Sequence, residues 1–317
     1  MKLIFIRHGD PNYEIDGLTE KGQREAQLLA DYIKNYNIDE IYMSPLGRAQ
    51  QTAEYSLKAL GKEAVTYDWL KEFPAQFDPN LSESARQAYK TELKTDPKTG
   101  RYETRIVWDM LPSYYGRHPE LFDNKGWRKA EPVIYSDMCK VYDYVVSSFD
   151  DFLRKQGYEK DGLIFKVNKS NDKVIAFFCH YGITSVLLSY LWNVSPFVLF
   201  QFIALAPTSV TIVASEEREK GIGTFRTIGM GDITHLNIAG EEPSFSARFC
   251  EKYENKNERH WSMVNIREIV LNILMEYDKD GGRKTTLLKD ALEKYDYLET
   301  RDKAFIKRVL EGCLERN

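Results

Sequence analysis

Two histidines and two arginines in this sequence are placed where they could act on an anion. Arg7-His8-Gly9 follows at once on the apolar run Leu3-Ile4-Phe5-Ile6, and His180 follows at once on Val174-Ile175-Ala176-Phe177-Phe178-Cys179. Arg48 comes shortly after Ser44-Pro45. Cationic and imidazole groups at a strand end can hold a phosphate or similar anion, and Gly9 would let the backbone pass close to it. Arg-His-Gly by itself is a short signal, because a histidine after a strand serves as well for structural hydrogen bonding as for nucleophilic attack.

The elements around these residues agree with such a use. Uninterrupted apolar runs read as interior strands of a parallel sheet, covered on both faces and therefore not alternating. Ligands of open α/β sheets bind outside the carboxyl ends of the strands, so the two runs deliver His8 and His180 to one edge. Asp10-Pro11-Asn12-Tyr13 predicts a turn over that edge, forming one wall of a pocket. Thr19 reads as the N-cap of a helix with Ala26, Leu29, Ala30 and Ile33 on its apolar face. Ile38 to Met43 predicts a second strand, and Ser44-Pro45 the start of a second helix carrying Leu46, Ala49, Ala53, Leu57 and Leu60. Arg48 falls in that helix's first turn, where a cation opposes the helix dipole unless an anion shares the site.

Ala64 to Tyr67 predicts a third strand. From 74 to 171 the sequence is charged and Tyr-rich, broken by Asp-Pro and Gly, with one helix around Tyr135 to Gln156. A compact core does not need about a hundred residues between two sheet strands, so this stretch reads as an inserted lid above the active edge. Arg101, Arg105, Trp108, His118 and Trp127 are its candidate substrate contacts. Ile183 to Leu191 predicts a buried helix, and Val210 to Ala214 with Gly223 to Ile228 a hairpin closing the sheet. Gly229 to Leu236 reads as the loop that ends the domain, with His235 structural.

Taken together, Arg7-His8-Gly9, Leu18-Thr19-Glu20-Lys21-Gly22, the run from Ser44-Pro45-Leu46-Gly47-Arg48 to Ala53, Glu72 and Cys179-His180-Tyr181-Gly182 are a recognisable set. In order and spacing they resemble the histidine phosphatase superfamily, the phosphoglycerate-mutase-like fold, over roughly Met1 to His260. The resemblance implies a three-layer α/β/α domain at 1–258, with the insertion at about 74–171. It also implies a metal-independent phosphatase that needs no cofactor and hydrolyses a phosphorylated small molecule through a phosphohistidine.

In that reading His8 is the nucleophile, its second ring nitrogen donating to a backbone carbonyl. Arg7 and Arg48 grip the phosphate oxygens, and His180, if protonated, adds a third positive group. Glu72, at the position where the family places an acidic residue, protonates the departing alkoxide and then activates water, for which its pKa must be raised. Asp10 is the next candidate acid. Asn12 and Tyr181 join as substrate contacts. Tyr181 stands where the family more often has Gly, and its ring is expected at the pocket rim. The loop after His8 lacks the Ser and Trp-Asn pattern of the superfamily's mutases, which favours a phosphatase over a phosphoglycerate mutase-type phosphotransferase. A non-catalytic binding module on this fold would lack a catalytic residue, and none of the five is missing.

The rest of the composition bounds partners. With 317 residues, a net charge of −4 and a pI near 5.9, the chain has no general basic field for nucleic acid, so any phosphate site must be a local cation cluster. The four cysteines, Cys139, Cys179, Cys250 and Cys313, form no C-x-x-C pair for zinc or redox work. Reduced thiols, and an N-terminal apolar run too short for a leader or a membrane span, imply a cytoplasmic protein with no membrane partner.

From Trp261 the pattern becomes helical, with Ile266, Ile269, Val270, Ile273 and Leu274, then Leu287, Leu288, Ala291 and Leu292, then Phe305, Ile306, Val309 and Leu310. This unit, 259–317, is similar to the start of a NusB-like helical domain, whose relatives bind RNA. Its eleven Lys and Arg are matched by eleven Asp and Glu between Trp261 and Asn317, which leaves RNA binding weakly supported and a packing or homodimer surface at least as well supported.

Overall fold

The computed structural model describes residues 1–89, 93–245, 270 and 306–310. The chain divides into two compact units, Met1–Phe249 and Cys250–Asn317. In the second unit the described residues, Val270 and Ile306 to Leu310, are helical. The rest of the expected helical, NusB-like unit lies outside the described residues.

The first unit is built on an eight-stranded mixed sheet. Its strands are β1 (Lys2–Arg7), β2 (Glu40–Met43), β3 (Val65–Thr66), β4 (Tyr158–Asp161), β5 (Ile164–Val167), β6 (Val174–Cys179), β7 (Val210–Glu219) and β8 (Ile222–Asp232). They lie side by side in the order β3-β2-β6-β1-β7-β8-β5-β4. The main helices are α1 (Glu20–Tyr32), α2 (Gly47–Leu60), α3 (Met138–Lys155), α4 (Tyr181–Trp192) and α5 (Pro196–Phe202).

The central strands are apolar throughout because both faces are covered. In β1, Leu3 and Phe5 point into one core while Ile4 and Ile6 point into the other, and none is more than 1% exposed. The Ile4/Ile6 side is closed by Leu29 and Ile33 of the first helical layer and by Ala53 and Leu57 of α2. On the opposite side Phe177 packs against Phe5, Tyr42, Trp69 and Phe152, a cluster to which α3 and α4 also contribute. Two helical layers therefore sandwich the sheet.

Register decides what reaches the active edge. β1 and β6 are parallel neighbours with Arg7 opposite Cys179, so the next residues, His8 and His180, leave the sheet together. β2 runs parallel on the other side of β6 with Met43 opposite Phe178, which brings Ser44 to the same edge.

Several expectations need revision. The 74–171 stretch is not all lid. Its helix α3 packs in the main core through Phe149 and Phe152, and its end supplies the β4–β5 hairpin at one edge of the sheet. The β7–β8 hairpin consequently does not close the sheet, and β8 continues to Asp232, followed by a short helix, Thr234–Ala239, where a loop was expected. Helix α2 starts at Gly47 rather than at Ser44-Pro45. Among the described residues no helix is long and apolar enough to cross a membrane.

Candidate active site

At the carboxyl edge of β1, His8 is 1% exposed and its peptide N–H donates to the carbonyl of Cys179, continuing the sheet ladder. Its Nδ1 lies 2.7 Å from the Gly9 carbonyl oxygen. A carbonyl can only accept, so Nδ1 carries the proton and Nε2 keeps its lone pair. Burial, reinforced by the charges of Arg7 and Arg48, holds the imidazole pKa well below the usual histidine range. His8 is thus a neutral, oriented imidazole with the Nε2 lone pair available.

The backbone around it is tightly fixed. The Gly9 N–H donates to Thr52 Oγ1 at 2.9 Å, and that hydroxyl donates to the Arg48 carbonyl, tying the loop to α2. A β-carbon on Gly9 would meet the Gly22 carbonyl oxygen at 2.7 Å, so the first turn of α1 and the loop can approach only without side chains. Thr19 caps that helix as expected, accepting from the Gly22 N–H at 3.0 Å. Asp10 is occupied elsewhere. One carboxylate oxygen accepts from Thr19 Oγ1 and the other from Ser244 Oγ, while its N–H donates to buried Glu25. Asp10 therefore braces the loop and is not an alternative acid.

Arg7 is 2% exposed and donates from Nη1 to the Leu205 carbonyl. Arg48, 8% exposed, donates from Nη1 to Asp16 Oδ1 at 2.5 Å, and Asp16 also accepts the Gly47 N–H at 2.7 Å. Its Nε is buried and has no hydrogen-bond partner among the described residues. The ring of Tyr13 lies 5.4 Å from its guanidinium carbon.

His180, fully buried, sits with its ring centroid 5.0 Å from that of His8. Its Nε2 lies 2.8 Å from Ser44 Oγ, and its Nδ1 is buried without a partner among the described residues. Burial, then the charges of His8, Arg48 and Arg7, lower its pKa well below the usual range. Burial and two guanidinium groups thus oppose the protonation under which His180 would add a third positive group.

Glu72 meets the site at the N-terminus of α4. Its Oε1 accepts from the N–H of Phe73 at 2.9 Å and of Gly182 at 2.8 Å. A β-carbon on Gly182 would approach Oε1 to 2.7 Å, so only glycine admits the carboxylate there. With Oε1 accepting two donors, Oε2 is the oxygen left to hold a proton. Burial raises the carboxyl above the usual carboxylate range, against the opposing effects of the Phe73 N–H, Arg7, Arg48 and the Gly182 N–H. The raised pKa that a general acid requires is thus produced by burial within the protein itself.

Ligand atoms of His8, Glu72 and His180 all lie within 4.8 Å of one another, a grouping that could hold a metal ion. The charges of Arg7 and Arg48 act on the same groups, so the local field disfavours a cation and favours an anion. The two orphaned donor-capable nitrogens, Arg48 Nε and His180 Nδ1, fit an anion as well.

Other candidate contacts lie elsewhere. Tyr181 is 1% exposed, its hydroxyl within hydrogen-bond distance of the carbonyls of Leu199, Phe200 and Ile203, so it anchors α5 in the core instead of rimming the pocket. Asn12 turns its Oδ1 to the Glu14 N–H. Of the lid residues, Trp108 lies beside Gly182 and stacks on Phe200, whereas Trp127 is buried in the core. Arg105 pairs with Asp109 and His118 with Glu120, and Arg101 is exposed. His235 is buried, bonded to Thr208 and stacked on Tyr32, with burial lowering its pKa to about 4. Ser44 and Asp16 were not expected at the site, whereas Tyr13 lies in the turn expected to wall the pocket. Ser44 lies within a motif already singled out, but its contact with His180 spans two strands.

Comparison with known proteins places these residues in context. Residues 3–103 match the histidine phosphatase superfamily (branch 1). A 2,3-bisphosphoglycerate-dependent phosphoglycerate mutase from Thermoplasma acidophilum is 36% identical over 77 residues, 21% of this chain and 38% of that protein. A probable phosphoglycerate mutase from Yersinia enterocolitica is 35% identical over 81 residues, 23% of this chain and 38% of that protein. The chain thus spans about two-fifths of the length of these relatives. Among solved structures, a phosphoserine phosphatase mutant from Entamoeba histolytica with bound phosphoserine has a TM-score of 0.47 at 19% identity, covering 74% of this chain and 98% of that one. A mycobacterial glucosyl-3-phosphoglycerate phosphatase complex has a TM-score of 0.43 at 14% identity, covering 72% and 97%. The family match is narrower than the span read from the motifs, but it contains Arg7, His8, Arg48 and Glu72. Over residues 3–103 this chain is similar to the histidine phosphatase superfamily.

Proposed function

We propose that the protein is a metal-independent phosphatase that hydrolyses a phosphomonoester through a phosphohistidine at His8. The observation that carries this reading is the state of His8: neutral, held by the Gly9 carbonyl with Nε2 free, and surrounded by Arg7, Arg48 and His180. Nε2 attacks phosphorus in line with the ester oxygen, forming the N–P bond as the O–P bond breaks. Arg7 and Arg48 stabilise the equatorial oxygens of a metaphosphate-like transition state, joined by His180. Glu72, protonated on Oε2, gives its proton to the departing alkoxide. It then takes a proton from the water that attacks the phosphohistidine, and inorganic phosphate leaves.

The names of the curated relatives favour a second reading, transfer to another substrate hydroxyl, as in a phosphoglycerate mutase. Both readings share the first half-reaction and differ in what accepts the phosphoryl group. A panel of phosphorylated metabolites, including phosphoglycerates, assayed for released phosphate and for transferred phosphoryl groups, separates them. The expected outcome is phosphate release at the same rate with or without chelator. Loss of turnover on chelation would overturn the metal-independent mechanism, and transfer without release would establish the mutase reading.

A further inference from the structure

Ser44 is fully buried at the end of β2, and its hydroxyl has two hydrogen-bond partners among the described residues. The Leu46 N–H, at 3.2 Å, can only donate to it. The other partner is His180 Nε2 at 2.8 Å. A hydroxyl has one proton to give and lone pairs to accept with. If Nε2 carried the imidazole proton, Oγ would accept from both sides and its own hydrogen would be buried without an acceptor, which costs about 1–3 kcal/mol. Nδ1 would then present a bare lone pair among the groups that hold an anion. If the serine proton goes to Nε2, the hydroxyl and Nε2 are both satisfied and Nδ1 carries the ring proton, so that of these groups only the Nδ1–H lacks a partner among the described residues.

We propose that Ser44 is a positioning residue that fixes neutral His180 as the tautomer protonated on Nδ1, so that the partnerless Nδ1–H is a preformed donor to a substrate phosphate oxygen. The proposal rests on the phosphohydrolase reading for the identity of the anion and on the hydrogen-bond network for the tautomer. It explains how His180 stabilises a phosphoryl group without being charged, since one N–H suffices to donate a hydrogen bond. It also gives a reason for the β2–β6–β1 register: three adjacent parallel strands end in Ser44, His180 and His8, so sheet pairing itself sets the histidine's proton.

The test is nitrogen NMR of the ¹⁵N-histidine-labelled full chain near pH 7, with the His180 signals assigned from their loss in His180→Gln. The expected spectrum has a protonated, pyrrole-type Nδ1 and an unprotonated, pyridine-type Nε2, and the Nδ1–H resonance moves when inorganic phosphate is added. Ser44→Ala should populate both tautomers and lower kcat about 10- to 100-fold, the usual scale for a residue that orients a site ligand. Ser44→Thr, which keeps the hydroxyl, should restore both the spectrum and the rate. A wild-type Nε2-protonated ring, an imidazolium, or an unchanged tautomer in Ser44→Ala would overturn the proposal. If Ser44→Ala does not fold, the wild-type spectrum alone decides. The stated tautomer in a chain that turns over no phosphomonoester would refute the enzymatic reading and leave the tautomer assignment standing.

Discussion

His8→Ala is expected to remove phosphomonoester turnover, by the order of 10⁴-fold or more, because losing a covalent nucleophile removes a whole pathway and not one hydrogen bond. The alanine variant should keep the fold and still bind phosphate. The strand before residue 8 is held by pairing on both sides, and Arg7 and Arg48 are held by Leu205 and Asp16 rather than by the imidazole. Phosphate binding with abolished turnover is the expected pair of results, read by calorimetry and by phosphate release. Substantial residual turnover in a folded His8→Ala variant would place the nucleophile elsewhere, with water attacking directly as the first alternative.

The second large effect is expected at Glu72 and depends on the leaving group. Glu72→Gln is nearly isosteric. Its amide oxygen can still accept from Phe73 and Gly182 in place of Oε1, while the NH₂ group occupies the position of Oε2 and cannot release a proton. An alkyl phosphate, which leaves as a basic alkoxide, should lose about 10²- to 10⁴-fold in kcat/KM. An activated aryl phosphate needs no proton in the first step and should lose within about tenfold there. Equal losses on both substrates would show that Glu72 is not the acid.

The pH dependence follows from the same groups. The first step needs Glu72 protonated, and burial raises its pKa, so on alkyl phosphates the rate should fall only as pH climbs through that raised value. It needs His8 neutral, and the His8 pKa is well below 6.5, so the rate should hold as pH drops through the ordinary histidine range. In Glu72→Gln the high-pH limb set by Glu72 should disappear.

What was legible in the sequence followed burial. Leu3 to Ile6 and Val174 to Cys179 read as central strands because both faces of each are covered, so no polar residue interrupts them. Their neighbours Arg7, His8 and His180 could then be placed at one edge without the structure. The β4–β5 hairpin was not legible. Tyr158–Asp161 and Ile164–Val167 are four residues each and largely charged or half-exposed at the sheet margin, so they carry no interior pattern.

Tyr181 was misread because its position after His180 suggests the pocket, whereas the first turn of α4 directs its ring under Trp108 and its hydroxyl to the end of α5. Ser44 was read as opening a helix from the local Ser-Pro pattern. Its bond to His180 depends on strand register across 136 positions, which no local pattern encodes. The neutral state of His180 likewise depends on burial among Arg7, Arg48 and His8, a property of the assembled edge.

The covalent phosphohistidine is tested most directly by the stereochemical course at phosphorus, using an isotopically chiral phosphate monoester and transfer to an added alcohol in place of water. Attack by His8 followed by attack of the acceptor comprises two in-line displacements, so the expected result is retention of configuration. Inversion would mean a single displacement by the acceptor itself and would contradict a phosphoenzyme at His8.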